Sequence, residues 1–181
     1  MRKITSRRLF LYKSALATTG LAFLSSNVVN AFTHKSPYEG YNPYADAKTD
    51  LRAKIFGEHV RVKGTVYDET GLLPLPDALV EVWHLSPNSL KFKHRTKLQA
   101  DSLGQYDLIT DFPGREPTKG MRIYFKVTNS NTTRFTELAL DKSGANITSK
   151  HWEENRQLGK KLLPKAKKTL NTLTIDFNIS I

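Results

Sequence analysis

From residue 60 onward the sequence is a succession of short runs separated by turn chemistry. "VRVKGTVYD" (60–68), "ALVEVWHL" (78–85), "GQYDLITD" (104–111), "MRIYFKVT" (121–128), "RFTELAL" (134–140) and "LTIDFNISI" (173–181) each alternate in polarity or are rich in β-branched and aromatic residues. Between them lie "DETGLLPLPD", "DSLG", "FPGREPTKG" and "NSNTT", all Gly, Pro, Asn, Asp and Ser in turn-forming combinations. Six or more such strands predict an all-β chain folded as an antiparallel β-sandwich of the immunoglobulin-like or transthyretin-like kind. The exception is 149–168, where Ser149 is placed to cap a short helix starting near His151 and Pro164 to kink or end it.

The run Gly120 to Val127 shows what each strand must satisfy. Met121, Ile123, Phe125 and Val127 point to one face, the core, and Arg122, Tyr124 and Lys126 to the other. Periodicity alone assigns that second face to a solvated surface.

The first 31 residues read differently. They hold Arg2, Lys3, Arg7, Arg8 and Lys13 without an acid, then the mildly apolar "LYKSALATTGLAFLSS", then "VVNA", a small-x-small pattern. This is the layout of a cleaved export signal, with cleavage expected after Ala31. Ser6-Arg7-Arg8-Leu9-Phe10-Leu11 resembles a twin-arginine signal, which favours that route over ordinary Sec export and a periplasmic or secreted destination. The apolar run is short and diluted by Ser, Thr and Gly, so no stable membrane anchor is expected. Residues 32–56 follow as an extended arm rich in Tyr and Pro, expected to pack its tyrosines on the domain, 57–181, or on a partner.

Charge excludes one class of function. The chain has 28 Lys and Arg against 17 Asp and Glu, but without the five basic residues of the leader the count is 23 against 17, a net +6. The excess sits largely in "GKKLLPKAKK" (159–168) and reads as a solvated basic segment, so no nucleic-acid partner is expected; an anionic surface is the alternative. With no cysteine, thiolate metal sites, thiol nucleophiles and disulfides are excluded. No Walker spacing occurs, and no signature of a Ser-His-Asp hydrolase stands out, since that would need a nucleophile in a strained turn beside a histidine.

"GTVYDETGLLPLPDALVEVWHLSPNS" (64–89), then "DSLGQYDLITDFPGREP" (101–117), "RIYF" (122–125) and "TIDFNISI" (174–181) resemble, in that order, the intradiol ring-cleavage dioxygenases represented by protocatechuate and catechol dioxygenases. The resemblance covers about 57–181. It implies a non-haem ferric ion held by two tyrosinates and two histidines, hard donors that suit Fe(III). At the corresponding positions this chain has Lys91, or Phe92 with a one-residue slip, for the first tyrosine and Glu116 for the second. Arg122 and Tyr124 stand for the His-x-His pair, and Lys119 for an arginine three residues before it. A guanidinium has no lone pair to donate and its charge repels a cation.

Three readings follow. In the first, the iron site is lost, no cofactor is held, and Lys91, Glu116, Lys119, Arg122 and Tyr124 line the former pocket of a non-catalytic module binding a small anionic ligand or a protein. In the second, an active dioxygenase keeps Fe3+ in a relocated site of Glu116, Tyr124 and His94. In the third, the chain is a structural transthyretin-like module. Glu116 is expected to pair with Arg122 and close the space. His84 belongs to the scaffold Val-Trp-His and is expected to make a structural hydrogen bond; His94, in "KFKHRTK", is expected in solvent. The resemblance also implies dimers or larger assemblies and leaves the oligomeric state open.

Overall fold

The computed structural model describes residues 36–130 and 132–181. Two sheets carry the fold. The first is built on β1 (His59–Tyr67), flanked on one side by β4 (Gln105–Asp111) and on the other by β10 (Thr172–Asp176) and β11 (Ile179–Ser180), with β9 (Lys165–Thr169) outside β10. The second runs β3 (His94–Gln99), β2 (Leu79–His84), β6 (Gly120–Asn129), β7 (Thr132–Leu140), β8 (Ala145–Ile147), with the two-residue β5 (Arg115–Glu116) also on β6.

The sandwich expected from the sequence is present, with one departure: β1 pairs in parallel with both β10 and β11. The run 173–181 breaks into two strands because β10 leaves β1 at Asp176 and the chain rejoins it at Ile179. Gly64 sits at that break. A Cβ there would lie 1.7 Å from the Phe177 carbonyl oxygen, which accepts the Tyr106 hydroxyl at 2.6 Å, so only glycine fits.

Alternation does the rest. Val60, Val62, Leu108, Leu173 and Ile175 from one sheet meet Val80, Val82, Ile123, Phe125, Val127 and Leu138 from the other, all at most 2% exposed. Phe125 packs on Phe177 with ring centroids 5.1 Å apart. Removing a side chain of that size from such a core costs about 3–5 kcal/mol.

Helix α1 (Ser149–Asn155) starts two residues before His151, because the Thr148 side chain and not that of Ser149 caps it, accepting the His151 N–H at 3.3 Å. Its buried Asn155 accepts the Ser180 N–H at 2.8 Å and donates to the His151 carbonyl, tying the helix to the last strand. A turn of 3-10 helix, Arg156–Lys161, follows, and after Pro164 the basic segment becomes β9, an edge strand exposed at every residue. Lysines on a free edge discourage pairing with another chain.

The arm crosses the open side of the sandwich. Leu51 N–H donates to Ile109 O and Ile109 N–H to Thr49 O, while Lys97 N–H donates to Asp46 O, so the arm occupies the free edges of both β4 and β3. Among the described residues no helix is long and apolar enough to cross a membrane. The export signal expected at 1–31 lies outside the described residues.

Candidate functional site

The outer face of β6 is not a solvated surface. Tyr124 is 0% exposed and Lys126 4% exposed, because the arm lies over them. The Tyr38 ring sits 4.7 Å from that of Tyr124, and Tyr41 sits 5.1 Å from Trp83. The Trp83 indole N–H donates to the Glu39 carbonyl at 2.9 Å. Gly40, at φ +78°, passes so close to Phe92 that a Cβ would lie 2.1 Å from the ring. Tyr38 and Tyr41 of the arm thus pack on the domain's aromatic cluster of Trp83, Phe92 and Tyr124, while Tyr44 is exposed.

Beneath Tyr41 lies a buried ion pair. Lys126 Nζ is 2.8 Å from Glu81 Oε2, each side chain 5% exposed. The Tyr41 hydroxyl donates to Glu81 at 3.0 Å and accepts from Lys126 at 2.8 Å. Burial pulls the Lys126 ammonium down, but its bonds to Glu81 and Tyr41 outweigh this and leave it above the ordinary lysine value. Tyr41 is raised by burial first and by the Glu81 charge.

At the neighbouring position the Tyr124 hydroxyl donates to both oxygens of Glu116, at 2.7 and 2.9 Å. Burial, then the hydrogen bond to Glu116 and its charge, push this phenol well above the usual range, so it stays protonated. The expected Glu116–Arg122 pair is therefore replaced by a Glu116–Tyr124 bond. Arg122 turns to Glu137, with Nε 3.6 Å from Oε2. That is too long for a hydrogen bond, and neither atom has another hydrogen-bond partner. Lys119 is exposed and holds its ammonium 5.7 Å from the centre of the Tyr124 ring.

Two further predicted members fall elsewhere. Lys91 is exposed and only its backbone is engaged, its carbonyl accepting the Ser86 N–H at 2.9 Å, whereas the next residue, Phe92, faces Tyr124 at 6.4 Å. His94 is neither solvated nor joined to Glu116 and Tyr124. Its Nδ1 meets Ser86 Oγ at 2.8 Å and its Nε2 meets Asp111 Oδ2 at 3.0 Å, with its side chain 9% exposed.

His94 belongs to a second polar cluster that sequence reasoning missed. It stands opposite His84 in the β2–β3 register, and the rings stack at 4.8 Å. His84 makes the structural contacts expected of it, to Thr110 Oγ1 at 2.7 Å and Leu85 O at 2.9 Å; burial lowers its pKa to about 3. His59 approaches the other oxygen of Asp111 at 3.6 Å. The signal that could have found this cluster is the pairing of two histidines across one hairpin, with Asp111 at the end of a strand leading to Pro-Gly.

The residues on and beside β5 and β6 do not fit a ferric ion. Glu116 and Tyr124 offer two oxygens, but the phenol proton is held between them, and Arg122 and Lys119 place cations beside them. Both ring nitrogens of His94 are committed elsewhere. Among the described residues no three His, Asp or Glu side chains are arranged to hold a metal ion.

No family model and no curated protein sequence matches this chain. Solved structures do. The dioxygenase domain of a dioxygenase carbohydrate-binding protein fusion from Streptomyces sp. SirexAA-E superposes with a TM-score of 0.61 at 17% identity, over 81% of this chain and 95% of that one. An intradiol ring-cleavage dioxygenase from Tetranychus urticae gives 0.60 at 16%, over 81% and 90%. The 3-chlorocatechol 1,2-dioxygenase from Rhodococcus opacus 1CP gives 0.56 at 16%, over 81% and 69%. At these identities the likeness is one of fold.

Proposed function

We propose that this chain is a divergent, exported relative of the intradiol ring-cleavage dioxygenases that has lost the ferric site and serves as a non-catalytic module binding a small anionic ligand or a protein. The observation that carries the reading is the bond from Tyr124 to Glu116. A metal-binding phenol gives up its proton, whereas this one is buried and aims its proton at a carboxylate. The family pattern fixes where iron would sit, and there the chain has built a self-satisfied contact, with the arm's Tyr38 stacked above it.

An anionic ligand is favoured by Arg122. Its fork is under-used, with a 3.6 Å approach to Glu137 and a 3.5 Å contact to the Met121 carbonyl. A carboxylate reaching it would gain two-point hydrogen bonding that Glu137 does not supply. The basic, acid-free leader and its small-x-small end support export, which would let the arm and domain meet ligands of the periplasm or medium.

The test is elemental analysis with a visible spectrum on protein purified after its native export. Less than about a tenth of an iron per chain and no tyrosinate charge-transfer band are expected. Stoichiometric iron with a visible band overturns the reading and restores an active dioxygenase. Titration of small carboxylates by isothermal calorimetry, in wild type and Arg122→Ala, then separates a ligand module from a purely structural one.

A further inference from the structure

The second polar cluster carries an activity of its own. We propose that Ser86, His94 and Asp111 form an acyl-transfer site that hydrolyses small carboxylic esters. It shares no residue with the pocket of Glu116, Arg122 and Tyr124, and the word non-catalytic applies to that pocket alone, so the two proposals fail separately.

The argument starts from Asp111. Its Oδ2 accepts the Ala53 backbone N–H at 2.9 Å and faces His94 Nε2 at 3.0 Å. A carboxylate can only accept, so the proton of the neutral imidazole sits on Nε2 and the lone pair on Nδ1. That lone pair points at Ser86 Oγ, 2.8 Å away. The hydroxyl oxygen already accepts the Lys93 N–H at 3.1 Å, which directs its own proton to Nδ1. The result is a serine hydroxyl, a histidine base and an orienting carboxylate in one line, with the two ring nitrogens in the reverse of their usual roles. His84, stacked on His94 and held neutral by burial, adds no competing charge.

The line opens into a cavity of about 820 Å³ whose walls include Ser86, His94 and Asp111 themselves. Phe56 and Phe112 give it an apolar side, and Lys48, Arg52, Lys54 and Lys93 outnumber the acids of its wall. With Arg52 paired to Asp50, the lysines Lys48, Lys54 and Lys93 are the cations of the wall that could favour the oxyanion formed during acyl transfer. A second cavity of about 670 Å³ shares Glu58, Pro87, Asn88, Ser89 and Phe112 with the first, leaving room for a leaving group.

In the first step Ser86 Oγ bonds to the ester carbonyl carbon and its proton passes to His94 Nδ1. The carbon–oxygen bond to the alcohol then breaks, and the departing oxygen takes that proton. Water repeats the sequence on the acyl-serine, releasing the acid and restoring the hydroxyl. Ester and water give acid and alcohol, with no further reactant. Ser86 and His94 are the catalytic residues, and Asp111 is a positioning residue acting through His94.

The experiment uses the mature chain with 4-nitrophenyl acetate as substrate and a fluorophosphonate as covalent probe, the labelled residue being located by peptide mass spectrometry. Label on Ser86 is expected, with hydrolysis falling at least 100-fold in Ser86→Ala and His94→Gln. In samples folded to the same extent as wild type by circular dichroism, Asp111→Asn is expected to lower kcat at least 10-fold with KM within 2-fold, a split that loss of active protein cannot then explain. Should His94→Gln fail to fold, Ser86→Cys supplies the second measurement: its thiol should react with iodoacetamide at least 10-fold faster than free cysteine at pH 7. Absence of label on Ser86 in the folded wild type, or hydrolysis unchanged in Ser86→Ala, overturns the proposal.

Discussion

The pair Lys126–Glu81 under Tyr41 sets the sharpest energetic test of how the arm is held. In Lys126→Met the ammonium goes and the Glu81 carboxylate, 5% exposed, keeps only the Tyr41 hydroxyl at 3.0 Å. Removing one partner of a buried ion pair costs about 3–5 kcal/mol. The surviving hydrogen bond to a charged acceptor offsets about 1.5 kcal/mol or more, so the low end, about 3 kcal/mol, is expected. In a domain of this size that lowers Tm by about 6–12 °C. The triple variant Glu81→Leu, Lys126→Met, Tyr41→Phe removes every polar group of the cluster together and should return to within about 1–2 kcal/mol of wild type, because an apolar replacement leaves nothing unpaired. Urea unfolding followed by tryptophan fluorescence in a Trp152→Phe background, which leaves Trp83 as the reporter, measures both. A Lys126→Met variant within about 1 kcal/mol of wild type, or a triple variant as unstable as the single one, refutes the reasoning that this cluster is a desolvated network.

Acid should unfold the protein through two buried histidines. Burial lowers the pKa of His84 to about 3 and of His151 to about 4, against 6.5 in the unfolded chain. The unfolded state therefore takes up protons first, and stability that is full above pH 6.5 falls by about 1.4 kcal/mol per pH unit for each histidine down toward pH 4. Chemical denaturation at pH 7.5, 6.0 and 5.0 checks this; a flat profile over that range contradicts the burial of both rings. Gly40→Val should cost about 2 kcal/mol or more or detach the arm, since the position has φ +78° and a Cβ would enter the Phe92 ring. The readout is limited proteolysis within 37–50, which should accelerate at least 10-fold, and an unchanged rate counts against the docking of the arm on Phe92.

Most of the fold was legible because it rests on period and punctuation. The β6 alternation of Ile123, Phe125 and Val127 and the turns at "DSLG" and "FPGREPTKG" delivered strands where the structure has them. What was not legible depended on contacts distant in sequence. "KFKHRTK" reads as a basic loop, yet its second half is β3, an edge strand whose Thr96 side chain donates to the Asp46 and Lys48 carbonyls of the arm. "KAKKT" has no alternation at all and becomes a strand because β10 pairs with it from Thr169 to Lys165. Tyr124 and Lys126 read as surface because nothing in β6 announces the arm that covers them.

The same limit explains the exchange of partners among Glu116, Arg122 and Tyr124. Glu116 stands opposite Gly120 in the β5–β6 hairpin, so Glu116, Arg122 and Tyr124 share one face, as their motif positions imply. On the other side of β6, however, the register sets Glu137 opposite Tyr124 and Ala139 opposite Arg122. Glu137 is thus a diagonal neighbour of Arg122, within reach of a long side chain. A second carboxylate on that face divides the cations and the phenol: Glu137 takes the guanidinium, and Glu116 is left for the Tyr124 hydroxyl. Which acid meets which base was decided by the pairing of β7, and that pairing runs through the turn after Asn129. The sequence shows this turn but not its register. The sequence could therefore tell that Glu116, Arg122 and Tyr124 stand where the resemblance implies other residue types, while the bond from the Tyr124 hydroxyl to Glu116 became visible only when β7 was laid beside β6.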